Sequence, residues 1–168
     1  MSIQSTARCG LFAALLTLCG WLSVPMGGMV FTMQTFGVCL TLMVLGGKRG
    51  TISVLVYILL GAVGLPVFSG FRGGLGVLLG ATGGYIWGFL STALVYWLTE
   101  KLWNRPWLSC AAGLLSCYGL GTVWYSCAYA AGSGLPAILL QSVLPYILPD
   151  GAKLLLAAVL ARRLKKHI

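Results

Sequence analysis

Acidic side chains are almost missing: Glu100 and Asp150 are the only two among 168 residues, and the single histidine is His167. Such a chain lacks the carboxylate pair, the histidine-based triad and the acid/base pair on which hydrolytic or isomerising chemistry depends. Charge of either sign is scarce, at 8% of residues against roughly 25% in soluble domains. No Cys-x-x-Cys pair occurs, and Cys9, Cys19, Cys39, Cys110, Cys117 and Cys127 all lie in or beside apolar runs. They are expected to pack as small hydrophobes and to hold no metal. A phosphate-binding loop is absent too, since GATGGY at 80–85 lacks the Lys and Ser/Thr that follow the second glycine of that motif. No catalytic residue, metal or cofactor is expected, and energy for any work must come from a partner or a gradient.

What remains is hydrocarbon. Hydrophobic residues make up 59% of the chain and the mean hydropathy is +0.96, the composition of an integral membrane protein. Six apolar segments, 9–24, 31–47, 51–66, 76–99, 107–131 and 137–161, approach the about 20 residues a helix needs to cross a bilayer. The prediction is one all-α transmembrane domain over 1–168, built from six helices. Its orientation follows from Arg8, Lys48, Arg49, Lys101, Arg105, Arg162, Arg163, Lys165 and Lys166, nine of the eleven basic residues, which alternate with the spans so as to fall on one side. Lys and Arg accumulate in short cytoplasmic loops, so both termini are expected in the cytoplasm of a multi-pass cell-membrane protein. Charge scattered over loops, with no basic stripe interleaved with aromatics, points to the lipid bilayer as neighbour and away from nucleic acid. Arg8 followed by an apolar run without an evident cleavage site reads as a retained first helix. Glu100 reads as a loop residue beside Lys101, and Trp87, Trp97, Trp103, Trp107 and Trp124 as interface or packing residues.

Three charges break the pattern. Asp150 and Lys153, at i and i+3, share a helix face, and Lys153 lies about 13 Å before Arg162 at 1.5 Å rise per residue. That depth is costly for an ionisable group, and such groups usually mark a site. Arg72 sits in a loop on the opposite side from the other basic residues. Pro145, Pro149 and Gly151 interrupt the last segment, which predicts a short helix or re-entrant piece over 137–148 and a final helix starting near Asp150, where the helix dipole would meet the carboxylate. Pro25, Gly27 and Gly28 end the first span, and Thr32, Gln34 and Thr35 bring hydrogen-bonding groups to the start of the second. Ten glycines crowd into 61–88, in the run LPVFSGFRGGLGVLLGATGGYIWGF and just before it. Irregular backbone at membrane depth is tolerated only where it is buried in protein or lines a cavity. These outer elements converge on one expected ligand mouth.

The runs VFTMQTFGV, GLPVFSGFRGGLGVLLGATGGYIWGF and LPYILPDGAK together resemble, in order and spacing, the signatures of the BioY family, the biotin-binding S components of energy-coupling factor (ECF) transporters. The family reads GPTGGY between PVF and GF; Thr82, Gly83, Gly84 and Tyr85 match, with Ala81 in place of the proline. Asp150 and Lys153 match the family's Asp-x-x-Lys, with the neighbouring glycine after the aspartate where it usually precedes it. The resemblance implies an S-component-like bundle that captures biotin from outside and works with a T component and two cytoplasmic ATPases. Small residues four apart on the first helix dock the T component in this family, and Gly10 and Ala14 fit that spacing or serve internal packing. On biotin, Asp150 would accept from a ureido N–H. The valerate carboxylate would go to Lys153 or to Arg72. Gln34 and Thr32 would hydrogen-bond the ligand, Tyr85 would close over the rings, and Gly83 and Gly84 would let backbone approach it. A solitary biotin carrier without ATPases, and a structural membrane protein that binds no small molecule, are the alternatives.

Overall fold

The computed structural model describes residues 3–26, 29–129, 138–140 and 143–166. Gly27, Gly28, His167 and residues 130–137 and 141–142, which include the end of the fifth predicted span and part of the sixth, lie outside the described residues. The elements in chain order are α1 (Ile3–Trp21), β1 (Ser23–Met26), β2 (Met29–Thr32), α2 (Gln34–Leu45), α3 (Gly47–Ala62), α4 (Leu75–Leu78), α5 (Gly83–Trp103), α6 (Pro106–Ala128) and α7 (Leu144–Leu164). Among the described residues, α1, α2, α3, α5, α6 and α7 answer to the six apolar segments; α4 is a single turn.

Small residues decide how the helices meet. A Cβ at Gly84 would overlap the Trp124 side chain, at Gly88 the Cys117 thiol, and at Gly121 the Tyr85 ring. These contacts run along the α5–α6 seam and let two backbones approach, as glycine and other small residues do in membrane bundles. Thr92 Oγ1 crosses the same seam and donates to the Gly113 carbonyl at 3.0 Å. Leu16, Leu42, Tyr57, Ile58, Phe68 and Tyr96 are fully buried in the core, while Leu98, Leu115, Leu148 and Leu155 stand exposed on the outside. A leucine-covered exterior suits hydrocarbon, where such side chains cost nothing to expose.

Several boundaries differ from the sequence reading. The connection after α1 is an antiparallel hairpin, with Ser23 paired to Thr32 and Val24 to Phe31, so the second helix begins at Gln34 and Thr32 belongs to a strand. Gly46, at φ 79°, ends α2, and α3 starts immediately after it, at Gly47. The fourth span opens at Gly83 because the chain reverses between α4 and α5, where a Cβ on Gly83 would overlap the Leu78 carbonyl. Helix α7 is already formed at Leu144 and runs through Pro149. That proline sits close to the helix start and removes one backbone bond, to the Pro145 carbonyl. Asp150 is therefore the seventh residue of α7 and does not occupy its N-terminus. Glu100 is no loop residue either: it lies on α5, and its Oε2 accepts from the first amide of α3, Gly47 N, at 2.7 Å.

Candidate functional site

At the end of the bundle away from the basic loops, the hairpin, the start of α2, the first turns of α5, the later turns of α6 and the first half of α7 enclose a cavity of about 90 Å³. Its walls are mainly apolar and aromatic, including Val30, Ile86, Phe89, Cys117 and Tyr146. One charged pair faces into it. Asp150 and Lys153, on one face of α7, are each about 5% exposed and form an ion pair at 2.8 Å.

A buried charge needs partners, and here nearly every position is filled. Asp150 Oδ1 accepts from Lys153 Nζ and, at 2.9 Å, from Thr35 Oγ1. Asp150 Oδ2 accepts from the Tyr118 hydroxyl at 2.5 Å and from no other group among the described residues. Lys153 Nζ donates in addition to the Thr32 carbonyl at 2.6 Å and to Thr35 Oγ1 at 3.4 Å, and lies 3.8 Å from the centre of the Phe31 ring. The three ammonium hydrogens are thus matched to three protein oxygens, while one carboxylate oxygen keeps a free lone pair. Phe31 stacks on Tyr146 with ring centres 6.4 Å apart, which ties the hairpin to α7.

The other expected residues fall into two groups. Thr32 and Tyr85 line the cavity. The Thr32 hydroxyl accepts from Gln34 N at 3.3 Å, and the Tyr85 hydroxyl is buried without a partner among the described residues. Gln34, Gly83 and Gly84 do not line it. Gln34 is buried and donates through Nε2 to the Tyr57 hydroxyl at 2.6 Å, which donates to the Val67 carbonyl at 3.1 Å; this chain braces α2 against α3 and the loop after it. Gly83 serves the turn into α5, and Gly84 the contact with Trp124. Arg72 is exposed in the loop before α4 and is absent from the walls; its Nε donates to the carbonyl of Ser69, itself a wall residue, at 3.2 Å. Gly10 and Ala14 are exposed on α1, and a Cβ on Gly10 would meet nothing within 4 Å, so that face is not used for internal packing. Tyr118 was missed in the sequence because a lone tyrosine in an apolar helix carries no signal of its own. All six cysteines are unpaired and Cys127 is exposed, outside the packing expected of it.

A helical bundle with an apolar exterior and a largely apolar pocket, floored by one buried ion pair, defines a membrane protein that receives a small, partly polar solute. The chain belongs to the BioY family, whose model matches residues 1–168. It is 43% identical over 167 residues to the biotin transporter BioY of Thermotoga maritima, covering 98% of this chain and 97% of the relative. It is also 37% identical to the probable biotin transporter BioY of Pyrococcus horikoshii, covering 98% of both. Among solved structures, the crystal structure of the S-component for biotin from an ECF-type ABC transporter superposes with a TM-score of 0.88 at 28% identity, covering 98% of this chain and 92% of that one.

Proposed function

We propose that this chain is the substrate-capturing component of an ECF-type transporter and binds biotin from the outer side of the cell membrane. The observation that carries the reading is the pairing state of the two buried charges. Among the described residues, Asp150 Oδ2 has room for one more donor, which suits a ureido N–H, and the Tyr85 hydroxyl is buried and unpartnered, which suits a second polar atom of the ligand. Lys153 is occupied by three protein acceptors and holds Asp150 and the hairpin in place. The valerate carboxylate then belongs to Arg72. Only its Nε is engaged among the described residues, and a guanidinium binds carboxylate bidentately. The ring system thus lies deep and the acid end near the loop. This reading includes no catalysis, both termini in the cytoplasm, and a T component with two ATPases as partners docking on the outward Gly10/Ala14 face.

Equilibrium binding of labelled biotin to the purified protein tests it, with biotin methyl ester as competitor. Asp150→Asn should weaken binding about a hundredfold, since it breaks the ion pair and misplaces a donor. Arg72→Ala should bind acid and ester alike. No binding by folded wild-type protein would remove biotin as the ligand. Loss of discrimination in Lys153→Ala, and not in Arg72→Ala, would move the carboxylate to Lys153.

A further inference from the structure

A second cleft lies at the other end of the bundle, where α2 finishes, α6 begins and α7 finishes. It holds about 60 Å³ between Met43, Pro106, Trp107, Ala158 and Ala161, with Arg162 and Lys165 at its rim. Positions 158, 161 and 162 of α7 and its C-cap residue, Lys165, follow the i, i+3, i+4, i+7 spacing of one helix face. Arg162 stands about 18 Å along α7 from Asp150, so the biotin site makes no use of it. Met43 and Ala161 form a buried apolar floor, and Trp107 is half exposed, as tryptophans are at a membrane interface. Neither Arg162 nor Lys165 has an ion-pair partner among the described residues. Glu100, the acid at this end, is engaged with the start of α3. The N-terminus of α6 has no side-chain cap and turns the positive end of its dipole toward the same place.

We propose that this cleft binds the headgroup phosphate of an anionic phospholipid of the cytoplasmic leaflet. The phosphate sits between Arg162 and Lys165, and the glycerol and upper acyl carbons lie on the Trp107 and alanine surface. Two cations without an ion-pair partner among the described residues call for an anion; an apolar floor at interfacial depth calls for one that carries hydrocarbon, which free phosphate does not. Basic pockets between membrane helices on the cytoplasmic side take lipids of this kind. A lipid seated here ties α6 to α7 at the ends remote from the vitamin.

The test is native mass spectrometry of full-length protein extracted from phosphatidylcholine vesicles with and without phosphatidylglycerol. The comparison is between Arg162→Gln/Lys165→Gln and Lys101→Gln/Arg163→Gln, which removes the same charge outside the cleft. Wild type and the control pair should retain one phosphatidylglycerol, and the cleft pair should retain about twentyfold less while still binding biotin. Equal losses in both pairs would overturn the proposal in favour of diffuse attraction to a basic rim. Equal retention in all three proteins would overturn it as well. If, in addition, the cleft pair alone failed to assemble with the energising subunits, the cleft would be a protein contact instead.

Discussion

Tyr118 is the residue on which the geometry of the pocket turns. Among the described residues its hydroxyl is the only group on Asp150 Oδ2, and a hydrogen bond to a charged acceptor contributes about 1.5–3 kcal/mol. Tyr118→Phe keeps the ring and lets the carboxylate rotate, so biotin affinity should fall by roughly tenfold, about 1.4 kcal/mol, in the same binding assay. Tyr57 makes the contrast. It is fully buried, away from the cavity walls, and holds the Gln34 amide. Tyr57→Phe leaves that amide unsatisfied at a cost of about 1–3 kcal/mol, so the thermal midpoint should drop by several degrees while affinity in the cold changes little. A lowered midpoint with unchanged affinity in Tyr118→Phe would mean that Asp150 does not need orienting.

Among the elements, the α2–α3 junction shows how an ionisable group at a helix end can be structural. Gly46 turns the chain, and α3 then begins without a cap from its own sequence; the carboxylate of Glu100 reaches across from α5 to accept from Gly47 N. An acid at the positive end of a helix, doubling as its N-cap, contributes about 0.5–2 kcal/mol. Glu100→Ala should lower stability by that amount, read as a fall of a few degrees in the thermal midpoint, and leave biotin binding intact, because the junction lies at the opposite end from Asp150. An effect on affinity would show that the two ends of the bundle are coupled. The hairpin plays a different part. Its two strands are too short to persist alone, and they are fastened instead by the Thr32 carbonyl on Lys153 and by Phe31 on Tyr146.

For the whole molecule, membrane orientation and assembly are the testable properties. Cys127 is exposed near the end of α6 on the pocket side, whereas Arg105 lies in the link before α6 at the basic end. In intact cells, a membrane-impermeant maleimide should label Cys127 in wild type, and should fail to label Arg105→Cys placed in a Cys127→Ser background. The reverse pattern would invert the topology. Docking is tested on α1: Gly10→Leu with Ala14→Leu fills an outward face that touches nothing internally, so binding by the isolated protein should persist. Biotin uptake in cells carrying the complete transporter should fall at least tenfold if helix contact there depends on close approach. Unchanged uptake would move the docking face elsewhere.

The membrane class, the six apolar segments, the family and the membrane-depth placement of Asp150 and Lys153 on one helix face were legible in the amino-acid sequence. The physical reason is contrast: charge inside hydrocarbon is so costly that a solitary acid and a lysine three residues apart stand out against the background. Which side chains surround that pair was not legible. Thr35 and Tyr118 lie 115 and 32 residues from Asp150, and helices that are apolar on every side carry no stripe to say which face turns inward. For the same reason Gly83, Gly84 and Gln34 read as ligand groups until the fold engaged them with Leu78, Trp124 and Tyr57. The division of labour proposed for Lys153 and Arg72 draws on the tertiary structure as well. It rests on whether each cation's hydrogens are already taken, and only packing determines that.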